Sequence, residues 1–102
     1  MIYMKIVISG NRNLHYTLGL INDCVNQSGF VPTEVTSCDC EPLNKIIKIW
    51  AKSESIPFKE WKDNCLEYVD ALILIHKNTR DSLALKWKAK KLGLKIYEKV
   101  IL

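Results

Sequence analysis

The stretch DALILIHK, residues 70–77, constrains the fold of this chain more than any other segment. Its apolar run is uninterrupted, and this pattern is typical of a strand that is covered on both faces. Such strands occur in parallel sheets with helices packed on both sides, because parallel neighbours must be joined by crossover connections. We therefore expect an α/β protein.

The rest of the chain alternates between strand-like and helical patterns in a way that fits this expectation. Segments 2–9, 32–37, 56–61, 70–77 and 94–101 predict strands, and helices are predicted from an Asn13 cap to Gly29, around 43–51, and over 79–92. Strands separated by helices run parallel when short right-handed crossovers join them. The predicted fold is a Rossmann-like three-layer sandwich with a mostly parallel five-stranded sheet, formed by a single domain over residues 1–102.

Composition excludes several classes of protein. With 48% hydrophobic and 25% charged residues, the chain should fold rather than stay disordered. Its opening lacks the features of a secretory signal or a membrane span, so we expect a cytoplasmic protein whose four cysteines are reduced. The net charge of +4 lies largely in KWKAKK, 86–91, and without a recognisable nucleic-acid-binding module it makes nucleic acid an unlikely partner.

A binding site is expected beyond the carboxyl ends of the strands, where ligands bind in open parallel sheets. Three predicted loops lie there, 10–13, 37–41 and 76–82. In the first, Gly10 would allow close backbone approach and Arg12 could hold a phosphate or carboxylate at the start of a helix. The alternative is that Gly10 only makes the turn and that Arg12 faces solvent.

The segments KIVISGNRN, TSCDCEPLNKIIKIWA, IPFKEW, YVDALILIHKNTRDS and AKKLGLKIY together resemble the small YspA-like (YAcAr) branch of the SLOG superfamily, which bacteria and their phages often carry. The resemblance covers nearly the whole chain. It implies a Rossmann-like fold and the binding of nucleotides or nucleotide-derived ligands, and some relatives cleave nucleotide glycosidic bonds.

The chain departs from that family in its glycine-rich loops. Cys38, Asp39 and Pro42 stand at the glycine positions of the second loop, Glu41 and Asn44 replace its arginine and aspartate, and Asp81 replaces a later glycine. These side chains hinder backbone approach, and the carboxylates place negative charge where phosphates would lie. An ordinary phosphate-binding mode is therefore disfavoured.

Other constellations leave alternatives open. Cys38 and Cys40 are too closely spaced for a usual zinc site, although a redox role is conceivable, and Cys24 and Cys65 fit small core residues. His76 could act as a general base or hydrogen-bond a ligand, or be a partly exposed loop histidine. On the lysine-rich last helix, Trp87 could be an amphipathic side chain at the edge of the core or an exposed side chain at a partner or self-association surface.

The hypothesis favoured by these patterns is a non-catalytic, degenerate SLOG-like domain that binds a nucleotide-related small molecule in an altered mode. No cofactor, metal or membrane is expected to take part. The alternatives are a protein-binding module, such as a phage-encoded inhibitor or counter-defence factor, a homo-oligomer, and a nucleotide-processing hydrolase with His76 or Asp39 as base. The predicted ligand-binding residues are Gly10, Asn11, Arg12, Asn13, Ser37, Cys38, Asp39, His76, Thr79, Arg80 and Ser82.

Overall fold

The computed structural model describes residues 2–10, 15–37, 41–60, 65–77 and 79–101. Five strands and three helices alternate along these residues. They are β1 (Ile2–Gly10), α1 (Leu18–Ser28), β2 (Phe30–Ser37), α2 (Glu41–Ser53), β3 (Phe58–Glu60), β4 (Ala71–His76), α3 (Arg80–Lys91) and β5 (Lys95–Val100), with a 3₁₀ turn at Cys65–Tyr68 before β4.

The strands form one sheet in the order β3-β2-β1-β4-β5, and every neighbouring pair is parallel. The Rossmann-like α/β prediction is thus confirmed, with a sheet that is wholly rather than mostly parallel. All six residues of β4 are buried, which confirms that its apolar run belongs to a strand covered on both faces. None of the helices in the described ranges is long and apolar enough to span a membrane.

The core is divided by the sheet into two layers. On one side, α1 and α2 pack over strand residues such as Ile6, Ile8 and Ile73. On the other side, α3 and the 3₁₀ turn cover Val7, Leu72 and other residues of the opposite alternation. A side chain's position in the strand register therefore shows which layer it enters.

Helix boundaries differ from the sequence prediction at one end. The first helix begins at Leu18 and not after Asn13, because Thr17 has extended backbone and its side chain accepts a hydrogen bond from the Leu20 amide at 3.1 Å. Its end was correctly predicted, since Gly29 adopts a left-handed conformation with φ 76° there. The second strand begins at Phe30, two residues before the predicted start at Pro32.

Candidate functional site

The carboxyl ends of β1 and β4 meet at the point where the strand order of the sheet reverses. Gly10 ends β1 and His76 ends β4, and Gly10 lies opposite Ile75 in the β1/β4 ladder. Ser37 ends β2 on the other side of β1. We call this region, defined by Gly10, Ser37 and His76, the carboxyl edge, and it is where open α/β sheets hold their ligands.

The structure brings these three predicted site residues to the same end of the sheet. Three more, Thr79, Arg80 and Ser82, lie at the start of α3, which follows β4. Five other predicted ligand-binding residues lie outside the described residues: Asn11, Arg12, Asn13, Cys38 and Asp39.

Gly10 is closely covered by the chain itself. A Cβ atom at this position would overlap the hydroxyl oxygen of Tyr16 and the main-chain carbonyl oxygen of Ile75. Tyr16 is 5% exposed and belongs to the core layer under α1 and α2. The sequence left open whether this glycine admits a ligand to the backbone or only makes the turn. In the structure the phenol of Tyr16 lies against it, and a ligand-binding role for Gly10 stays a prediction.

His76 is a buried strand residue and not a loop residue. Its exposed fraction is 0%, and its Nε2 lies 2.9 Å from the Oε2 of Glu98 on β5. Lys86 of α3 donates to both oxygens of the same carboxylate, at 3.2 and 3.0 Å. The alternative of a partly exposed loop histidine was wrong, because the register of β4 turns this side chain under α3.

The ion pair with Lys86 controls the charge of this cluster. The hydrogen bond from Lys86 lowers the pKa of Glu98 below its ordinary value; partial burial opposes the shift and the bond to His76 supports it. An ionised carboxylate can only accept hydrogen bonds, so Nε2 of His76 donates to it. The cluster thus joins β4, β5 and α3, and its histidine is not presented to solvent.

The hydroxyl groups of Thr79 and Ser82 form the N-terminal cap of α3. The side chain of Thr79 caps α3 by accepting from the Ser82 amide at 3.4 Å, and the two hydroxyl oxygens lie 2.9 Å apart. Ser82 is buried, while Arg80 is exposed. A role for these residues in ligand binding stays a prediction.

Unused hydrogen-bonding capacity lies on the last two residues of β2 and on α2. Thr36 Oγ1, Ser37 Oγ and Asn44 Oδ1 are buried atoms without a hydrogen-bond partner in the described part of the chain. Ser37 lies opposite Ile8 and enters the layer under α1 and α2, to which Asn44 of α2 also belongs, whereas Thr36 lies opposite Val7 and enters the other layer. Buried polar atoms are normally paired, so the Ser37 hydroxyl, which lies at the carboxyl edge, has unused capacity for a hydrogen bond with a group from outside the chain.

The cysteines give no sign of a metal centre in the described ranges, where no group of three or more His, Cys, Asp or Glu side chains is placed to hold an ion. Cys24 is a free, buried core residue, as the sequence predicted. Burial raises the pKa of its thiol; Lys99 opposes this rise and Asp23 adds to it. A buried thiol with a raised pKa is a poor nucleophile, so Cys24 fits a structural role. Cys38, Cys40 and the side chain of Cys65 are outside the description.

Comparison of the chain with protein-family models, with characterised proteins and with solved structures finds no match.

Two residues that contact the carboxyl edge, Tyr16 and Glu98, were not predicted from the sequence. Tyr16 stands in a segment that the sequence assigned to α1, and no periodicity indicates that it returns to cover Gly10. The partnership of His76 with Glu98 depends on the β4/β5 register, in which Leu74 lies opposite Glu98 and His76 opposite Val100. A glutamate alternating with apolar residues in a final strand was the available signal for this pair.

Proposed function

We propose that this chain is a degenerate SLOG-like domain that binds a nucleotide-related small molecule in an altered mode and does not act on it. The observation that carries the proposal is the buried, unpartnered hydroxyl of Ser37 at the carboxyl edge, one strand away from the reversal of strand order. Because this oxygen is buried, a polar ligand reaches it only by displacing the side chains that cover it, and the hydrogen bond would then satisfy a group that the described chain leaves unsatisfied.

The altered mode is supported by the packing of Tyr16 on Gly10. Phosphate cradles in this fold class depend on a bare main chain at a glycine, and here a phenol occupies that space. Ser37 offers a neutral hydroxyl at the carboxyl edge in place of a phosphate cradle. We therefore propose that the nucleoside part of the ligand, through its ribose hydroxyls or base edge, makes the main contacts.

We propose no catalytic role because His76, the candidate general base in the described residues, is not placed to act on a ligand at Ser37. A general base must come within hydrogen-bond reach of the proton that it removes. The imidazole of His76 is bound to Glu98 on the α3 side of the sheet, whereas Ser37 faces the other layer, so the sheet separates His76 from a ligand at Ser37. The same geometry weighs against a hydrolase that uses His76 as its base.

Thermal-shift titration with adenosine, AMP, ADP, ATP and ADP-ribose tests the proposal, since a ligand that binds only the folded chain raises its melting temperature. At about 100 times Kd the stabilisation is about 2.7 kcal/mol, which corresponds to a rise of roughly 10 °C or more for a domain of this size. We expect a rise that depends on the nucleoside and does not grow with the number of phosphates.

Two neighbouring variants make this test specific. Ser37→Ala should lower the ligand-induced stabilisation by about 1–1.5 kcal/mol, roughly half of it, whereas Thr36→Val, which removes an equally buried hydroxyl from the opposite face of β2, should leave it unchanged. A flat panel, or a rise that increases with phosphate number and is undiminished in Ser37→Ala, would contradict the proposal.

A second candidate, a protein-binding module such as a phage-encoded inhibitor or counter-defence factor, is favoured by one observation. Trp87 on α3 is 62% exposed, the largest exposed fraction among the large hydrophobic residues in the described ranges. If no nucleotide in the panel raises the melting temperature, this candidate is favoured.

A further inference from the structure

The outward face of α3 combines apolar and cationic side chains in one stripe. Ser82 and Ala89 mark the side of the helix that packs on the sheet. On the opposite side, exposed residues recur at helical spacing. These residues define the α3 patch: Arg80, Leu83, Trp87, Lys90 and Lys91.

The centre of the α3 patch is apolar and partly ordered by its own contacts. Leu83 and Trp87 are one turn apart, with exposed fractions of 38% and 62%. The Lys90 ammonium lies 5.0 Å from the centroid of the Trp87 ring, within the range of a cation–π contact. An aromatic ring held at a helix surface loses little freedom when it is covered, and tryptophan and arginine are enriched among residues that dominate binding energy.

The charge of the α3 patch identifies the chemistry that complements it. Arg80, Lys90 and Lys91 are all exposed. Asp81, the one carboxylate of α3, is also exposed, but it is two positions from Leu83 and therefore lies on a different side of the helix. Lys86 of the same helix is already paired with Glu98, so these three cations surround the apolar centre without that neutralisation. A partner that covers Leu83 and Trp87 must bring negative charge to the rim.

We propose that the α3 patch docks an acidic, amphipathic protein segment, which lays an apolar side chain on Leu83 and Trp87 and sets carboxylates against Arg80, Lys90 and Lys91. A second copy of the chain is disfavoured, because a two-fold contact through this patch would bring like charges together. Nucleic acid is disfavoured since its binders use a broad basic face, whereas this chain carries a net charge of only +4. The inference specifies the partner in the protein-binding candidate and does not depend on the nucleotide site.

Selection from a library of short random peptides displayed on the surface of a carrier tests this inference. The full chain is the bait, and the Trp87→Ala variant is the counter-selection bait. We expect the peptides enriched on the wild type and lost on Trp87→Ala to share an excess of Asp and Glu around at least one large apolar residue. Enriched peptides that are neutral or basic, or that bind Trp87→Ala equally well, would overturn the inference.

Binding of the most enriched peptide, labelled and followed by fluorescence anisotropy, gives the quantitative test. Trp87→Ala should weaken binding by about tenfold or more, and added salt should weaken it further. The matched control is Ile49→Ala, which removes an exposed apolar side chain (55% exposed) from α2 on the other side of the sheet and should leave affinity within about twofold of the wild type.

Two further measurements in the same assay separate the other occupants. A labelled oligothymidylate that binds more tightly than the peptide and depends on Trp87 would show a nucleic-acid surface and overturn the inference. Dimerisation in sedimentation runs that disappears in Trp87→Ala would also overturn it, in favour of a second copy. If Trp87→Ala melts at the same temperature as the wild type, its lost binding reflects the α3 patch and not the fold. If the same variant keeps its nucleotide-induced thermal shift, the peptide site and the nucleotide site are independent.

Discussion

Replacing Gly10 with alanine tests whether this glycine serves the internal packing of the chain. The new methyl group would overlap two oxygen atoms, the hydroxyl of Tyr16 and the main-chain carbonyl of Ile75. The carbonyl belongs to β4 directly opposite Gly10 in the parallel ladder, so it cannot move without shifting a fully buried strand. Tyr16 can yield only by leaving the core layer in which it is 5% exposed.

The cost follows from these two obstacles. Overpacking a well-filled core by one methyl group costs about 1–3 kcal/mol, and occasionally more. Because one obstacle is backbone, we expect Gly10→Ala to lie in the upper part of that range, at about 2–3 kcal/mol. For a domain of this size each kcal/mol lowers the melting temperature by about 4–8 °C, so a fall of roughly 10–20 °C is expected.

Urea unfolding followed by far-UV circular dichroism measures this difference, and Gly19→Ala is the matched control. Gly19 lies in α1, where the nearest atom to an added Cβ is the Thr17 hydroxyl at 3.9 Å, so alanine should fit there and stabilise the helix by about 0.5–1 kcal/mol. The two substitutions should therefore differ in sign. A Gly10→Ala protein as stable as the wild type would refute the packing argument. Removal of the Tyr16 hydroxyl by Tyr16→Phe should recover part of the loss, by about 0.5–1 kcal/mol, as a non-additive term in a double-mutant cycle.

Three further outcomes are expected. Thr36→Val should raise the unfolding free energy by about 1–2 kcal/mol in urea titrations, because it removes a buried hydroxyl that has no partner in the described chain; a loss of stability would show that the hydroxyl is satisfied. Since the folded-state pKa of Glu98 is lowered, its stabilising contribution is present above the ordinary glutamate pKa and is lost as pH falls through the folded value. Unfolding free energies measured across this acidic range should fall less steeply for Glu98→Gln than for the wild type, and parallel curves would disprove the assignment. Thr17→Ala should cost about 1 kcal/mol through loss of the α1 cap at 3.1 Å, and an unchanged midpoint in thermal melting would place the cap elsewhere.

The fold was accessible from the sequence because its strongest signals are local. The unbroken apolar run of β4 and the glycine at the end of α1 each determine a feature of one element, and right-handed crossovers then leave few topologies. The start of α1 was less accessible, since both Asn13 and Thr17 are suitable caps and only the structure shows that Thr17 accepts the Leu20 amide.

The sequence predicted where the carboxyl edge lies, but it did not predict which side chains surround the residues there. Topology brings Gly10, Ser37 and His76 together, and this much follows from strand order. Whether a side chain at that edge faces a ligand or the core depends on the strand register and on side chains from other segments that pack against it, as Tyr16 and Glu98 do. Such long-range pairings leave no periodic pattern in one sequence, so the sequence did not indicate that His76 is buried against Glu98.

The central position of β1 has a consequence for how the chain is made. Its two ladders join it to β2 nearby and to β4 far along the chain, and Asp70, which accepts from the Lys5 amide, is 65 residues away. At translation speeds of about 5–20 residues per second, a nascent β1 waits roughly 3–13 s for that neighbour. Even after β2 has been made, the second edge of β1 has no partner strand until β4 follows, and unpaired edges of apolar strands such as Ile6–Ile8 are where incompletely made chains aggregate.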